Sequence, residues 1–195
     1  MTPRKLQKVV PGAALVLALA SGSFVAMSQV KSSPENVPRP VQVEGFSVVG
    51  IAIRTSNAEQ ASPEAPIGKM WQRFFHEGVL AAIPNKADAN IVALYTEYSS
   101  DKDGAYTYVL GARVTKVEAV PPGMVAKDVP AGKYALFTSE RGPAPKVVPE
   151  MWRRVWSVPK DALGGERAYQ TDYELYDERA RNPADSVVDL YIGVR

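Results

Sequence analysis

Ile67-Gly-Lys-Met-Trp-Gln-Arg-Phe-Phe75 and Val148-Pro-Glu-Met-Trp-Arg-Arg-Val-Trp156 are one helix pattern written twice. In each, large apolar residues recur at i, i+3, i+4, i+7 and i+8, which gathers them on one helical face. Ile67/Val148, Met70/Met151, Trp71/Trp152, Phe74/Val155 and Phe75/Trp156 all stand 81 residues apart. The flanking segments repeat as well. Ala52-Ile-Arg-Thr-Ser56 matches Ala135-Leu-Phe-Thr-Ser139 at a spacing of 83, and Val109-Leu-Gly-Ala-Arg113 matches Tyr191-Ile-Gly-Val-Arg195 at 82. Three matches in one order, at nearly one spacing, mark an internal duplication.

Each copy reads strand–helix–strand–strand. Val48-Val-Gly-Ile-Ala-Ile53 is apolar and β-branched, as a strand requires. Two further strands, Ile91 to Tyr98 and Tyr106 to Val117, flank the polar turn Ser99-Ser-Asp-Lys-Asp-Gly104. One such unit is too small to bury its own apolar face. Joining two sheets edge to edge and covering one side with both helices solves the problem. The expected fold class is therefore α+β: tandem duplicated β-α-β-β units with pseudo-two-fold symmetry, an antiparallel sheet covered by two main helices. Repeat one runs over 45–118 and repeat two over 124–195, within a domain at 43–195. A groove between the helices, or over the sheet centre, is the natural ligand position.

The remaining segments set the context. Residues 1–8 carry Arg4, Lys5 and Lys8 and no acid, and no charged residue occurs from Val9 to Val30. That is the pattern of a secretory signal, with Ala18-Leu-Ala20 and Ala26-Met-Ser28 as cleavage sites. The uncharged run also matches the ~20 residues that span a bilayer. Residues 1–28 are thus read as a signal peptide or N-terminal membrane anchor, with anchoring through residues 9–30. Export to the periplasm or the extracytoplasmic face of the membrane is expected. Residues 29–42, with Pro34, Pro38 and Pro40, are read as a linker.

Without the leader's three basic residues, 20 Lys and Arg face 21 Asp and Glu. That balance gives no reason to expect nucleic acid as a partner. The chain has one His and no Cys, so no metal site of the usual zinc type is expected, and no cofactor motif appears.

The inner and closing strands concentrate Tyr95, Tyr98, Tyr106, Tyr108, Tyr173, Tyr176 and Tyr191. Aromatic rings offer large contact area and attract cations. Tyr95 and Tyr108 are selected as ligand-binding, beside the first unit's hairpin core. Trp71 and Trp152 occupy equivalent places and serve either as helix-to-sheet anchors or as groove walls. Glu174 shares a strand face with Tyr176, and Tyr173 with Leu175. Its carboxylate is either a solvated acid or, within the groove, a group seeking a cation. Glu97 is the weaker acidic alternative. Arg73 and Arg154 are expected to face solvent or cap an acid, and His76 to lie on the surface.

Tyr134-Ala-Leu-Phe-Thr-Ser-Glu-Arg-Gly142, Pro149-Glu-Met-Trp-Arg-Arg-Val-Trp156, Asp172-Tyr-Glu-Leu-Tyr176 and Val188-Asp-Leu-Tyr-Ile192 resemble the GyrI-like (gyrase-inhibitor-like) effector-binding domain. Arg54-Thr-Ser-Asn57 and Tyr106-Thr-Tyr-Val-Leu-Gly111 extend the resemblance from Gly45 to Arg195. It implies a tandem pair of units that senses small organic molecules, often attached to AraC- or MerR-type regulators. It also implies that the ligand-contacting acid of the penultimate strand is Glu174. A subset of the family hydrolyses strained cyclopropane compounds, which here would employ Glu174 with Tyr95 as an acid–base pair. A third alternative is a membrane-anchored protein-interaction module. With an export leader and no helix-turn-helix before the domain, direct action on DNA is not expected. The leading expectation is a non-catalytic binder of aromatic or cationic amphiphiles, with Glu174, Tyr95, Tyr108, Trp71 and Trp152 at its site.

Overall fold

Met70, Phe74, Met151 and Val155 turn one side of two helices onto an eight-stranded antiparallel sheet. The structure, a computed structural model, describes residues 37–62 and 64–195, apart from the Lys160 side chain. Residues 1–28, read above as a signal peptide or anchor, with the expected cleavage sites and the run 9–30, lie outside the described residues. Among the described residues no helix is long and apolar enough to cross a membrane.

In chain order the elements are β1 (Arg39–Val43), β2 (Phe46–Ser56), α1 (Asn57–Gln60), α2 (Pro66–His76) and α3 (Val79–Ala82). There follow β3 (Ile91–Thr96), β4 (Ala105–Val114), β5 (Val125–Val129), β6 (Gly132–Thr138) and α4 (Ala144–Ser157). β7 (Arg167–Tyr176) and β8 (Asp189–Val194) complete the chain. Across the sheet the strands run β1-β6-β8-β7-β3-β4-β2-β5. Read from the centre outward, β7-β8-β6 on one side mirrors β3-β4-β2 on the other. The two repeats therefore meet along β3 and β7, as the duplication requires.

The outer strands cross over. β1 leads directly into β2 but pairs with β6, while β5 leads into β6 but pairs with β2. Each half thus lends an edge strand to the other, which shields both outer first strands from edge-to-edge association. This corrects the domain boundary expected from sequence. Arg39–Val43 is a sheet strand that begins inside the stretch read as linker, its one proline, Pro40, tolerated because it lies at an edge.

The repeated glycine has a steric cause. Gly111 pairs with Gly50 across β4 and β2, and a Cβ on Gly111 would lie 2.0 Å from the Val49 carbonyl oxygen. Its counterpart Gly193 would place a Cβ 2.6 Å from the Thr171 carbonyl oxygen. Alternation along β3 separates Ala93 and Tyr95, on the helix side, from Val92 and Leu94, in a second apolar cluster on the opposite face with Tyr134 and Tyr173.

Candidate functional site

The five apolar residues of each helix pattern divide between two ridges. Met70 and Phe74 in α2, and Met151 and Val155 in α4, enter the core. Ile67, Trp71 and Phe75, with Val148, Trp152 and Trp156, run along the helix edges and line a cavity of about 1050 Å³ over the sheet centre. Sequence periodicity placed all five on one helical face; within it, the i, i+4, i+8 ridge faces the hollow. Phe75 and Trp156, 81 residues apart, remain 65% and 43% exposed, a pair of aromatic side chains left largely in solvent.

Glu174 lies beneath this cavity and is only 1% exposed. Its backbone is directly opposite Ala93 where β3 and β7 pair. Ala93-Leu-Tyr95 and Glu174-Leu-Tyr176 align at a spacing of 81, the helix spacing. Glu174 and Ala93 are thus both equivalent and paired, which puts them at the pseudo-two-fold axis. The consequence is visible in the hydrogen bonds. Tyr95 donates to Glu174 Oε1 at 2.8 Å and its equivalent Tyr176 donates to Oε2 at 2.6 Å. Trp152 Nε1 adds a third bond, to Oε1, at 2.6 Å. Ala93, the small partner, carries no competing side chain.

All three donors are neutral, and among the described residues no Lys or Arg forms an ion pair with Glu174. Burial pushes its carboxyl above the ordinary value, while hydrogen bonds from Tyr176, Trp152 and Tyr95 pull it back in part. Burial, and next the Glu174 charge, raise the Tyr95 and Tyr176 phenols well above theirs. Both therefore stay protonated as donors. The carboxylate accepts three hydrogen bonds of about four that such a group can accept.

The selected residues are not all in one place. Tyr95, Trp71 and Trp152 line the cavity, and Glu174 lies just behind Tyr95, Trp152 and Tyr176. Tyr108, expected beside the ligand, is instead fully buried behind the wall, its ring 5.0 Å from that of Tyr95. Its hydroxyl lies towards the Trp71 indole without meeting hydrogen-bond geometry. Glu97 is exposed and held by Lys127 and Thr107 at 2.5 and 2.7 Å, away from the cavity. Arg73 pairs with Glu77 on the α2 surface, and His76 is exposed at its end.

Sequence reasoning missed Tyr176 as a ligand of the carboxylate, although the Ala93-Leu-Tyr95 and Glu174-Leu-Tyr176 alignment carried that signal. It also missed Arg167, which lines the cavity and donates from Nη2 to the fully buried Asp172 at 2.6 Å. Among the described residues no group of three or more His, Asp and Glu side chains is placed to hold a metal ion.

Comparison with known proteins fits this geometry. Residues 39–194 match the profile of the Cass2 family, described as integron-associated effector binding protein. The chain is 31% identical to YobU of Bacillus subtilis, over 75% of this chain and 90% of that one. It is 37% identical to the transcriptional regulator BrlR of Pseudomonas aeruginosa, over 80% of this chain and 54% of BrlR, about half its length. Among solved structures, an integron cassette protein of Vibrio cholerae is 32% identical with a TM-score of 0.65, covering 82% of this chain and 96% of its own. SAV2435, solved bound to tetraphenylphosphonium, shares the fold at 20% identity and a TM-score of 0.65, over 81% of this chain and 93% of its own.

Proposed function

The chain belongs to the Cass2 family of integron-associated effector-binding proteins, of the GyrI-like type, and on that premise we propose that it is a receptor for lipophilic aromatic cations. Effector binding by a small-molecule-binding fold follows from the family. The cationic class rests on one observation: a carboxylate that is almost fully buried, held by three neutral donors, beneath an aromatic cavity large enough for a polycyclic ligand. Burying an unpaired charge is costly. A cation entering the cavity recovers that cost through the charge and through the faces of Trp71 and Trp152. A neutral ligand recovers only the apolar contact.

Hydrolysis is less well supported. A general base must reach water, whereas Glu174 is 1% exposed beneath the Trp152 and tyrosine side chains that donate to it. Those bonds hold a charge; they do not leave a base open to solvent.

The test is a titration of the purified domain with tetraphenylphosphonium and with the neutral triphenylphosphine, which carries no oxygen, followed by quenching of tryptophan fluorescence. The cation is expected to bind at least tenfold more tightly. Equal affinities would refute the charge-based reading.

The setting of this activity is a further part of the proposal. The basic head and uncharged run of residues 1–30 support export, which would place the receptor outside the cytoplasmic membrane. The mass of the mature protein recovered from cells bearing the full gene tests this. Recovery of the intact chain in the cytosolic fraction would refute it.

A further inference from the structure

A nearly buried cationic side chain also lines the cavity. Arg167 is 8% exposed, and the neighbouring Asp172 is fully buried. Asp172 is well satisfied: Tyr98 donates to Oδ2 at 2.7 Å, Arg167 Nη2 to Oδ2 at 2.6 Å and the Gly193 amide to Oδ1 at 2.9 Å. Arg167 is not. Among the described residues its guanidinium donates only from Nη2, and its Nε–H is buried with no partner. Its planar group lies over the Tyr169 ring at 4.4 Å and the Trp152 ring at 5.8 Å.

The backbone is distorted to put it there. Arg167 and Asp172 are five positions apart, a separation that sends two residues of a regular strand to opposite faces. A register shift in β7 between them brings both to one side. Tyr169, within the bulge, takes a φ of +50°, left-handed for a residue with a side chain. Structure that holds a residue so placed is over-determined by its surroundings, and such places concentrate at ligand sites.

Trp152 joins the two polar groups. Its indole N–H meets Glu174 while Arg167 lies over its face. The geometry points to a second subsite: Arg167 donates a hydrogen bond to an oxygen acceptor on the ligand, so that the preferred effectors are aromatic cations that also carry a carbonyl, ester or carboxylate oxygen. This rests on the reading of Glu174 as the seat of the cation and adds the other end of the molecule. Because Asp172 already neutralises Arg167, the subsite selects a hydrogen-bond acceptor rather than a net negative charge.

Three matched probes test it: butyltriphenylphosphonium, (3-carboxypropyl)triphenylphosphonium and the ethyl ester of the latter. Each is titrated against the wild-type protein and Arg167→Lys, which keeps a cation beside Asp172 but removes the planar fork. In wild type both oxygen-bearing probes should bind roughly tenfold more tightly than the butyl compound. In Arg167→Lys the ratio of oxygen-bearing to butyl affinity should fall to within about twofold. Equal binding of all three by wild type overturns the subsite and leaves the cation reading intact; this arm decides the matter alone if the variant does not fold. A preference that survives in Arg167→Lys, or a gain for the acid without the ester, also overturns it. Failure of all three to bind wild type refutes the cation reading, and the subsite with it.

Discussion

Glu174→Gln separates charge from shape at the base of the cavity. The amide oxygen can accept from Trp152 and Tyr95, and the amide nitrogen can donate to the Tyr176 hydroxyl, so the packing of the site is retained. What disappears is the negative charge. Tyr95, Trp152 and Tyr176 stand between the carboxylate and the hollow, so a cation resting against those rings lies about 5–6 Å from it, roughly one ring beyond direct contact. At that separation and an effective dielectric constant near 20, the attraction is about 3 kcal/mol. That corresponds to a loss of roughly 100-fold in affinity. Calorimetric titration with tetraphenylphosphonium should show this loss, while triphenylphosphine binds both proteins alike. Affinity for the cation within threefold of wild type would refute the electrostatic argument. An equal loss for the neutral ligand would show that the substitution had disturbed the cavity instead.

The same carboxyl makes binding and stability respond to pH. Its folded value is raised, so between the ordinary carboxylate range and that raised value the folded protein binds a proton more readily than the unfolded chain. The penalty of the buried charge is therefore absent at low pH and grows as pH rises through that window. Glu174→Gln should melt at a higher temperature than wild type at neutral pH, and the advantage should vanish on acidification. Cation affinity of the wild type should fall as pH is lowered through the same window, and the Gln variant should show no such fall. Tyr95→Phe and Tyr176→Phe each remove one donor from the carboxylate, worth about 1.5–3 kcal/mol to the charged form. Each should shift the pH midpoint of cation binding upward, as read by titrations at a series of pH values. Gly111→Ala should cost several kcal/mol or prevent folding, because its methyl would overlap the Val49 carbonyl; chemical denaturation measures the loss.

Much of the fold was legible because duplication writes each structural demand twice. The helix pattern, the antiparallel strand pair and the equivalent glycines Gly111 and Gly193 recur because each half solves the same packing problem. The edge strands were not legible. Arg39–Val43 contains a proline and alternates weakly, and its partner β6 lies almost a hundred residues away, so pairing and not local propensity makes it a strand. The split of each helix face into a core ridge and a cavity ridge was hidden for a similar reason. A tryptophan facing a hollow and a tryptophan facing a core obey the same periodicity. Tyr108 illustrates the limit: it neighbours Tyr95 across β3 and β4, yet one ring separates the cavity surface from the interior.

The site itself arises where the repeat is broken. Two equivalent halves place Tyr95 and Tyr176, and Trp71 and Trp152, around a common axis, and symmetry alone would leave a neutral aromatic hollow. Two carboxylates paired at the axis would share one proton, so a second acid there would add no second charge. The chain has alanine in one copy and glutamate in the other: Ala93 leaves room, and Glu174 accepts a donor from each half. On the proposed reading, the single acid at the axis, held by a tyrosine from each half, is the counter-charge for a cation in the cavity. The bulge that carries Arg167 is a second departure from the repeat, and it too lies on the cavity wall. In a duplicated domain, the positions at which equivalent residues stop matching are where binding chemistry is to be sought.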